Sequence, residues 1–427
     1  MNYPDSVRYL YSLGNELKTA KFGLETIAAL LSALGHPERA GRFVHVAGTN
    51  GKGSTCAMIE SGLRAAGVRT GLYTSPHLDE PTERIRIGGN PVTQRQFAEA
   101  FDIVHQAAAG LIRDGKIDHH PTYFETVTAM AFVLFREARV EMVALEVGLG
   151  GRLDATNVVT PALSVITPVD FDHEAYLGRS LEAIASEKAG ILKPGIPAVF
   201  SAQRPEAAAT LRARAAAMGC NVIETSEWTV EDCVLEPRGS TFVARKQGGC
   251  AVRVHCPLGG EHQVENGLTA VAALHTLGIA REAIEAGIAE TRWPGRLERI
   301  STRPEIILDG AHNPAGARAL VSYIQRFYGG QRVTLIYGAM RDKAVAEMTA
   351  ILFPAADAII ATAPDQERAT RPETIRDLSE RPDVRIARSV AEALEWVRSA
   401  GPDEVVFVTG SLFMVAEARR RMLDVGS

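Results

Sequence analysis

FVHVAGTNGKGST, residues Phe43 to Thr55, is the stretch from which the fold can be read. Phe43, Val44 and Val46 read as a short buried strand, and Met58, Ile59, Leu63 and Ala66 recur on one face of a following helix. Between them lies Gly48-Thr49-Asn50-Gly51-Lys52-Gly53-Ser54-Thr55. Strand, glycine-rich turn, lysine, hydroxyl and helix form the layout of a phosphate cradle. Glycines let backbone N–H groups converge on one anion, and the helix N-terminus adds partial positive charge. Lys52 then reaches the terminal phosphates, and Ser54 or Thr55 faces a magnesium ion. The spacing departs from the usual G-x-x-x-x-G-K-[ST]: Val46 stands at the first glycine, and Gly53 separates Lys52 from Ser54. The competing reading is a glycine-rich turn with a surface lysine. The strand and helix on either side favour the phosphate.

Outward from this stretch, strands alternate with helices. The first helix carries Val7, Leu10, Leu13 and Leu17, and the second Ile27, Leu30, Leu31 and Leu34. Strands are expected at 68–73, 83–87, 142–145 and 162–167, and helices at 93–112, 122–136 and 180–190. That alternation predicts a parallel sheet covered on both faces. Residues 228–256, with short Val, Thr and Phe runs and glycine turns, predict a small antiparallel insertion. Helices return over 263–290. Trp293-Pro294-Gly295-Arg296 breaks the pattern as a linker. A second βα series follows, with strands at 306–309, 333–337, 358–361 and 405–409. The expectation is an α/β protein: an N-terminal P-loop-type domain over 1–292, a linker at 293–297, and a smaller doubly wound, Rossmann-like domain over 298–427.

The 427 residues exceed what one core usually supports, in agreement with two domains. A net charge of −5 without a basic run gives no footprint for nucleic acid or an anionic membrane. No apolar run is long enough to span a bilayer, and the N-terminus has no secretory pattern. Five cysteines without a C-x-x-C pair read as reduced thiols. A cytoplasmic protein is expected.

In open α/β sheets ligands gather at the carboxyl ends of strands. Ser75, Glu146 and His173 each follow a predicted strand, as the phosphate loop does. One hydroxyl, one carboxylate and one imidazole beside phosphates suit a hard divalent ion, although imidazole is a less usual magnesium ligand. Taken singly, Glu146 could equally be a structural salt-bridge partner and His173 a satisfied core histidine. Lys188 reads by itself as a solvated helix lysine. In the second domain Asp309 ends a strand, where it could meet a ribose or cap a helix. Gly338–Lys343 and Thr409-Gly410-Ser411 end two further strands, where turn and capping chemistry explains them equally well.

These stretches together resemble the folylpolyglutamate synthase/dihydrofolate synthase family of the Mur ligase superfamily. The motifs run in order over nearly the whole chain: VAGTNGKGST (46–55), YTSPHL (73–78), ERIRI (83–87), TYFE (122–125), LEVGLGGRLDATN (145–157), DHEAYLG (172–178), EKAGILK (187–193), PGRLE (294–298), DGAHNP (309–314) and GAMRDK (338–343). The off-pattern phosphate loop is that superfamily's usual form.

The resemblance implies roles. Thr49, Asn50, Gly51, Lys52, Gly53 and Ser54 hold ATP phosphates, with Asn266, Arg296 and Asp309 completing the nucleotide site. Ser75, Glu146 and His173 bind magnesium. Lys188 falls where family members carry a lysine carbamylated by CO2, which helps hold a second ion. Lys52, Lys188 and His312 are the catalytic candidates. Phe22, Gly23, Thr122, Tyr123, Phe124, Glu125, Arg152, Leu153 and Asp154 contact the pterin or folate.

The implied reaction joins L-glutamate to a dihydropteroate or reduced-folate carboxylate through an acyl phosphate. The family further implies a monomer. Two alternatives remain at this point: a cell-wall ligase acting on a UDP-linked substrate, and a nucleotide switch that hydrolyses ATP to drive a partner.

Overall fold

The computed structural model describes residues 1–14, 23–398, 401 and 403–424. Leu17 and Phe22 lie outside the described residues. Three sheets organise the chain. The first has eight strands: β1 (Arg42–Ala47), β2 (Thr70–Tyr73), β3 (Ile85–Ile87), β4 (Asn90–Pro91), β5 (Met142–Glu146), β6 (Leu163–Ile166), β7 (Ala198–Phe200) and β8 (Val222–Glu224). Their order is β4-β3-β2-β5-β1-β6-β7-β8. β2, β5, β1, β6, β7 and β8 run parallel, and the β3–β4 hairpin adds an antiparallel edge. β1 lies centrally between β5 and β6, so the turn after it opens where flanking strands also end.

Both faces of this sheet are buried, as near-continuous apolar parallel strands require. On one face Phe43, Tyr73 and Leu145 pack with Phe97, Phe101, Met130 and Phe132 of the helices Gln94–Arg113 and Tyr123–Glu137. On the other, Val44, Val46 and Ala144 meet Ile59 and Leu63 of the helix Lys52–Ala65 and Val271 and Leu274 of the helix His262–Thr276. The second sheet is the expected insertion: β9 (Trp228–Glu236), β10 (Gly239–Lys246) and β11 (Ala251–Cys256), antiparallel in the order β11-β10-β9. Its inward residues Phe242, Ala244, Val252 and Val254 close the second core.

The third sheet belongs to the C-terminal domain. It contains β12 (Glu298–Thr302), β13 (Glu305–Leu308), β14 (Arg332–Tyr337), β15 (Ala358–Ala361), β16 (Arg385–Ile386) and β17 (Glu404–Thr409), in the order β12-β13-β17-β14-β15-β16. It is mixed, with six strands rather than the four that were expected, because antiparallel β12 borders β13 and short β16 borders β15. Both additions are edge strands. β12 is half-buried and polar, and β16 is two residues long, so neither has the apolar run that marks a central strand.

One further element differs from expectation. Glu83-Arg84 belongs to a one-turn helix, Pro81–Arg84, and the strand starts only at Ile85. Pro81 pre-sets the turn, and the Glu83 carboxylate accepts the Leu78, Asp79 and Glu80 N–H groups. Among the described residues no helix is long and apolar enough to cross a membrane.

Candidate active site

The phosphate loop is held open by its own backbone. Gly51 has a φ of 84°, in the left-handed region, and a side chain there would strike Asn266. Gly51 caps the helix Lys52–Ala65 with no side-chain hydrogen bond, so the first helical N–H groups are left facing the cleft. The Thr49 N–H donates to Pro168 O at 2.9 Å, and its hydroxyl donates to Asp170 O at 2.9 Å, which ties the loop to the end of β6. The Lys52 ammonium donates to Gly48 O and Thr49 O, both at 3.2 Å, and so lies curled over the loop.

Glu146 ends β5 and is 5% exposed. Its Oε2 accepts the Ser75 N–H at 3.2 Å. Burial lifts its carboxyl to about 7, against the opposing pull of Lys52. Lys188, on the helix Leu181–Ala189, is 4% exposed and donates to Gly48 O at 2.8 Å. Burial, followed by the nearby Lys52 charge, lowers its ammonium to about 7. The isolated reading of Lys188 as a solvated helix lysine is therefore corrected: its helix packs that face against the phosphate loop. His173 has a φ of 52°, strained for a non-glycine residue. Burial and then Lys343 keep its imidazole neutral, at about 4.

The C-terminal domain closes over these groups through Asp172. Lys343 donates to Asp172 Oδ1 at 2.8 Å, and Asn313 Nδ2 donates to Asp172 Oδ2 at 3.1 Å and to Asn50 Oδ1 at 2.9 Å. Burial alone would raise the Asp172 carboxyl, but Lys343, helped by His173 and His312, outweighs it and holds the group well below the ordinary range. His312 Nδ1 donates to Gly310 O at 2.8 Å, which leaves Nε2 as an acceptor 3.6 Å from Asp172 Oδ2. Burial, then Lys343, keeps this imidazole neutral too, at about 4. Asp309 accepts the Leu297 N–H at 3.1 Å and the Ala311 N–H at 3.0 Å, bracing the linker against β13. Arg296 forms no ion pair among the described residues, and it contributes to the field at Glu146.

Two cavities result. One of about 390 Å³ is lined by every residue expected to hold the nucleotide (Thr49, Asn50, Gly51, Lys52, Gly53, Ser54, Asn266, Arg296 and Asp309) and by Ser75, Glu146, His173, Lys188 and His312. The second, of about 230 Å³, is lined by Gly23, Thr122, Phe124, Glu125, Leu153 and Asp154, facing Lys343, Arg368 and Ser411 of the C-terminal domain. Both include Ser75, His173 and His312, so they meet there.

Thr122 and Glu125 form a reciprocal cap at the start of their helix. Tyr123 lies in the core, stacked on Tyr11 with ring centroids 5.7 Å apart, and Arg152 turns outward to Glu187 at 2.9 Å. Neither lines the cavity. Sequence reasoning gave Asp172 no role, Lys343 only turn chemistry and Asn313 only the start of the helix Pro314–Tyr328, which it does cap. The only signal was their place in DHEAYLG, DGAHNP and GAMRDK.

Among the described residues no group of three or more His, Cys, Asp or Glu side chains is placed to hold a metal ion. The expected set is instead mixed, one serine, one glutamate and one histidine, and its chemistry fits a cation. Glu146 is a buried carboxylate with few donors, and His173 is a neutral imidazole whose Nε2 accepts from Lys343 Nζ at 3.3 Å, a bond that a bound cation would have to replace.

A parallel phosphate-loop domain, an antiparallel insertion and a mixed C-terminal domain closing on it define a Mur ligase. The Mur ligase middle domain family matches residues 46–274, and the Mur ligase glutamate ligase domain family matches 295–412. The chain is 35% identical to the folylpolyglutamate synthase of Lacticaseibacillus casei, with 99% of each chain covered. It is also 35% identical to the dihydrofolate synthase/folylpolyglutamate synthase of Bacillus subtilis, over 94% of this chain and 95% of that one. The structure of Escherichia coli FolC in complex with DHPP and ADP superposes with a TM-score of 0.88 at 32% identity, covering 100% of this chain and 99% of that one. The chain belongs to the folylpolyglutamate synthase/dihydrofolate synthase family of ATP-dependent ligases. The cell-wall alternative finds no support in these relatives.

Proposed function

We propose that this protein joins L-glutamate to the carboxylate of dihydropteroate and of reduced folates at the expense of ATP. One observation carries the reading: the phosphate-loop cavity and the second, partly apolar cavity meet at Ser75, His173 and His312. A pterin seated against Phe124 and Leu153 would point its carboxylate at that junction. There a carboxylate oxygen attacks the γ-phosphorus of ATP, the bond to the β-phosphate oxygen breaks, and ADP leaves. The neutral glutamate amine then attacks the acyl carbon, the bond from that carbon to the phosphate oxygen breaks, and the nitrogen passes its proton to the departing phosphate or to water.

Phosphoryl transfer asks the protein for alignment and charge neutralisation rather than covalent chemistry. The helix N-terminus, Lys52 and Arg296 supply donors and positive charge for the phosphates. Thr49, Asn50, Gly53 and Ser54 shape the loop around them. Asn266 and Asp309 border the rest of the nucleotide. His312 Nε2, a lone-pair acceptor, can orient the incoming amine. Ser75, Glu146 and His173 would hold a magnesium ion, which neutralises phosphate charge when bound. Lys188, near neutrality at physiological pH, has the amine form that adds CO2, and its carbamate would help hold a second ion.

Residues 293–297 serve as the hinge between domains 1–292 and 298–427. Closure over it excludes water from the acyl phosphate. All these groups come from one chain, so a monomer in the cytoplasm suffices. The test is a coupled ADP-release assay with glutamate, with dihydropteroate and tetrahydrofolate supplied separately. Glutamate-dependent ADP release with an amide product is expected. Release without amide would overturn the reading.

A further inference from the structure

Asp154 is surrounded by donors. Its Oδ2 accepts the Gly148 N–H at 3.0 Å and the Leu149 N–H at 2.9 Å, and its Oδ1 accepts the Thr156 N–H at 3.0 Å. These bonds fold the segment 148–155 so that Gly148, Leu149, Leu153, Asp154 and Ala155 line the second cavity, Gly148 and Leu149 at its border with the nucleotide cavity. A fourth donor, the Thr156 hydroxyl, lies 2.5 Å from Oδ1. Behind it stands His45, whose Nε2 is 2.8 Å from the same Thr156 oxygen. A carboxylate accepts, so the hydroxyl hydrogen is spent on Asp154. Thr156 must then accept from His45, and this fixes the imidazole as its Nε2–H tautomer.

His45 lies on β1, paired between Leu145 and Ser164, and is fully buried. Burial, then Lys193, holds it neutral, at about 3. Its Nδ1 has no hydrogen-bond partner among the described residues. An orphaned buried nitrogen is a cost that an apolar residue on this strand would avoid. The packing on β1 therefore does not explain an imidazole here, whereas the bond to Thr156 does. β1 also runs into the phosphate loop at Gly48. One strand thus sets the nucleotide loop by its end and the wall of the second cavity by a side chain.

We propose that His45 is a positioning residue for the pterin-bearing substrate, acting through Thr156 and Asp154 to fix the wall 148–155. The proposal rests on the reading of the second cavity as the pterin site.

The test is steady-state ADP release by the full chain, with dihydropteroate varied at saturating ATP and glutamate, and then with ATP varied. His45→Leu is expected to raise the KM for dihydropteroate about tenfold and to leave the KM for ATP within about twofold. His45→Gln, whose amide nitrogen can take the place of Nε2 and donate, is expected to recover most of that loss. Thr156→Val keeps the imidazole and removes the relay, so it should raise the same KM whether residue 45 is His or Gln. It carries the test if His45→Leu does not fold.

Equal effects of Leu and Gln at 45, an ATP KM that rises in step, or an unchanged KM in Thr156→Val would overturn the proposal. Asp154→Asn separates the two levels. A raised dihydropteroate KM there, with His45→Leu unchanged, removes only the relay. An unchanged KM in Asp154→Asn removes the pterin reading of the cavity, and the relay with it.

Discussion

Asp172→Asn tests whether the two domains are held closed by charge. Asp172 Oδ1 and Lys343 Nζ are 2.8 Å apart, and the side chains are 10% and 11% exposed. At an effective dielectric constant of about 20 that separation is worth about 6 kcal/mol of gross attraction. Desolvation of both ions takes back much of it, and removing one partner of such a pair costs about 3 kcal/mol, since the other charge is left buried. Asn keeps the shape and one acceptor oxygen, for Asn313, so the variant loses the charge together with the hydrogen bonds that Oδ1 accepts from Lys343 and the His173 N–H. If closure is needed for turnover, about 3 kcal/mol corresponds to a fall in kcat/KM of roughly 100-fold.

The assay is steady-state ADP release for Asp172→Asn, Lys343→Met and the double variant. A direct pair makes the double variant no worse than either single one. The pair should also persist across neutral pH. The folded Asp172 carboxyl is held below its unfolded value, so its contribution is present above the unfolded pKa and fades only as pH falls through the folded one. Single variants within about threefold of wild type, or strictly additive losses, would refute the reasoning.

Four further outcomes are expected. Lys52→Ala should remain folded, by circular dichroism, and lose nearly all turnover; retained ligase activity would refute the phosphate assignment. Lys188→Ala should lose turnover and regain part of it with added short carboxylates such as formate, while a bare amine in the mass spectrum of the fully active wild type would count against the carbamate. His45 has its folded pKa lowered from 6.5 to about 3, so its contribution is present above 6.5 and lost as pH falls; wild type should lose about 2 kcal/mol more than His45→Gln between pH 6.5 and 5 in urea unfolding. Phe132 is fully buried and meets Phe43 edge-on at 5.6 Å, so Phe132→Ala should cost about 3–5 kcal/mol in the same measurement.

What the sequence disclosed and what it withheld divide along a physical line. Strands and loops announce themselves locally, through apolar runs, glycines and caps. The phosphate loop, the strand-end positions of Ser75 and Glu146, and the insertion over 228–256 were therefore legible, whereas His173 lies well past β6, capping the short helix Glu174–Leu177. Asp172 and Lys343 are 171 positions apart, and nothing in either neighbourhood encodes their meeting. Lys343 read as turn chemistry because a loop lysine has no local signature. Asp154 read as a substrate contact, and its oxygens prove to be committed to the wall that lines the cavity. The linker was legible as a break at Pro294-Gly295, but its mechanical link was not: Trp293 packs so closely on the phosphate loop that a side chain at Gly53 would touch its ring.

Lys188 looked like surface charge for the same reason, and its surroundings explain what it does instead. Lys52 and Arg296 act on the buried Glu146, Lys188 lies in the field of Lys52, and Asp172 is already taken by Lys343. Asp170, Glu265 and Asp309 line the same cleft, so its positive charge is concentrated at the phosphate loop, where Lys52 stands, rather than spread over the whole cleft. Burial and Lys52 together bring the Lys188 ammonium to about 7. Burial and the Lys52 charge, which would also meet a triphosphate, thus both favour the neutral amine of Lys188. A carbamate formed there would replace one of two neighbouring cations with an anion in the cavity that Glu146 also lines. The proposed carbamate would in this way turn the crowding of Lys52 and Lys188 into an oxygen donor for a divalent cation.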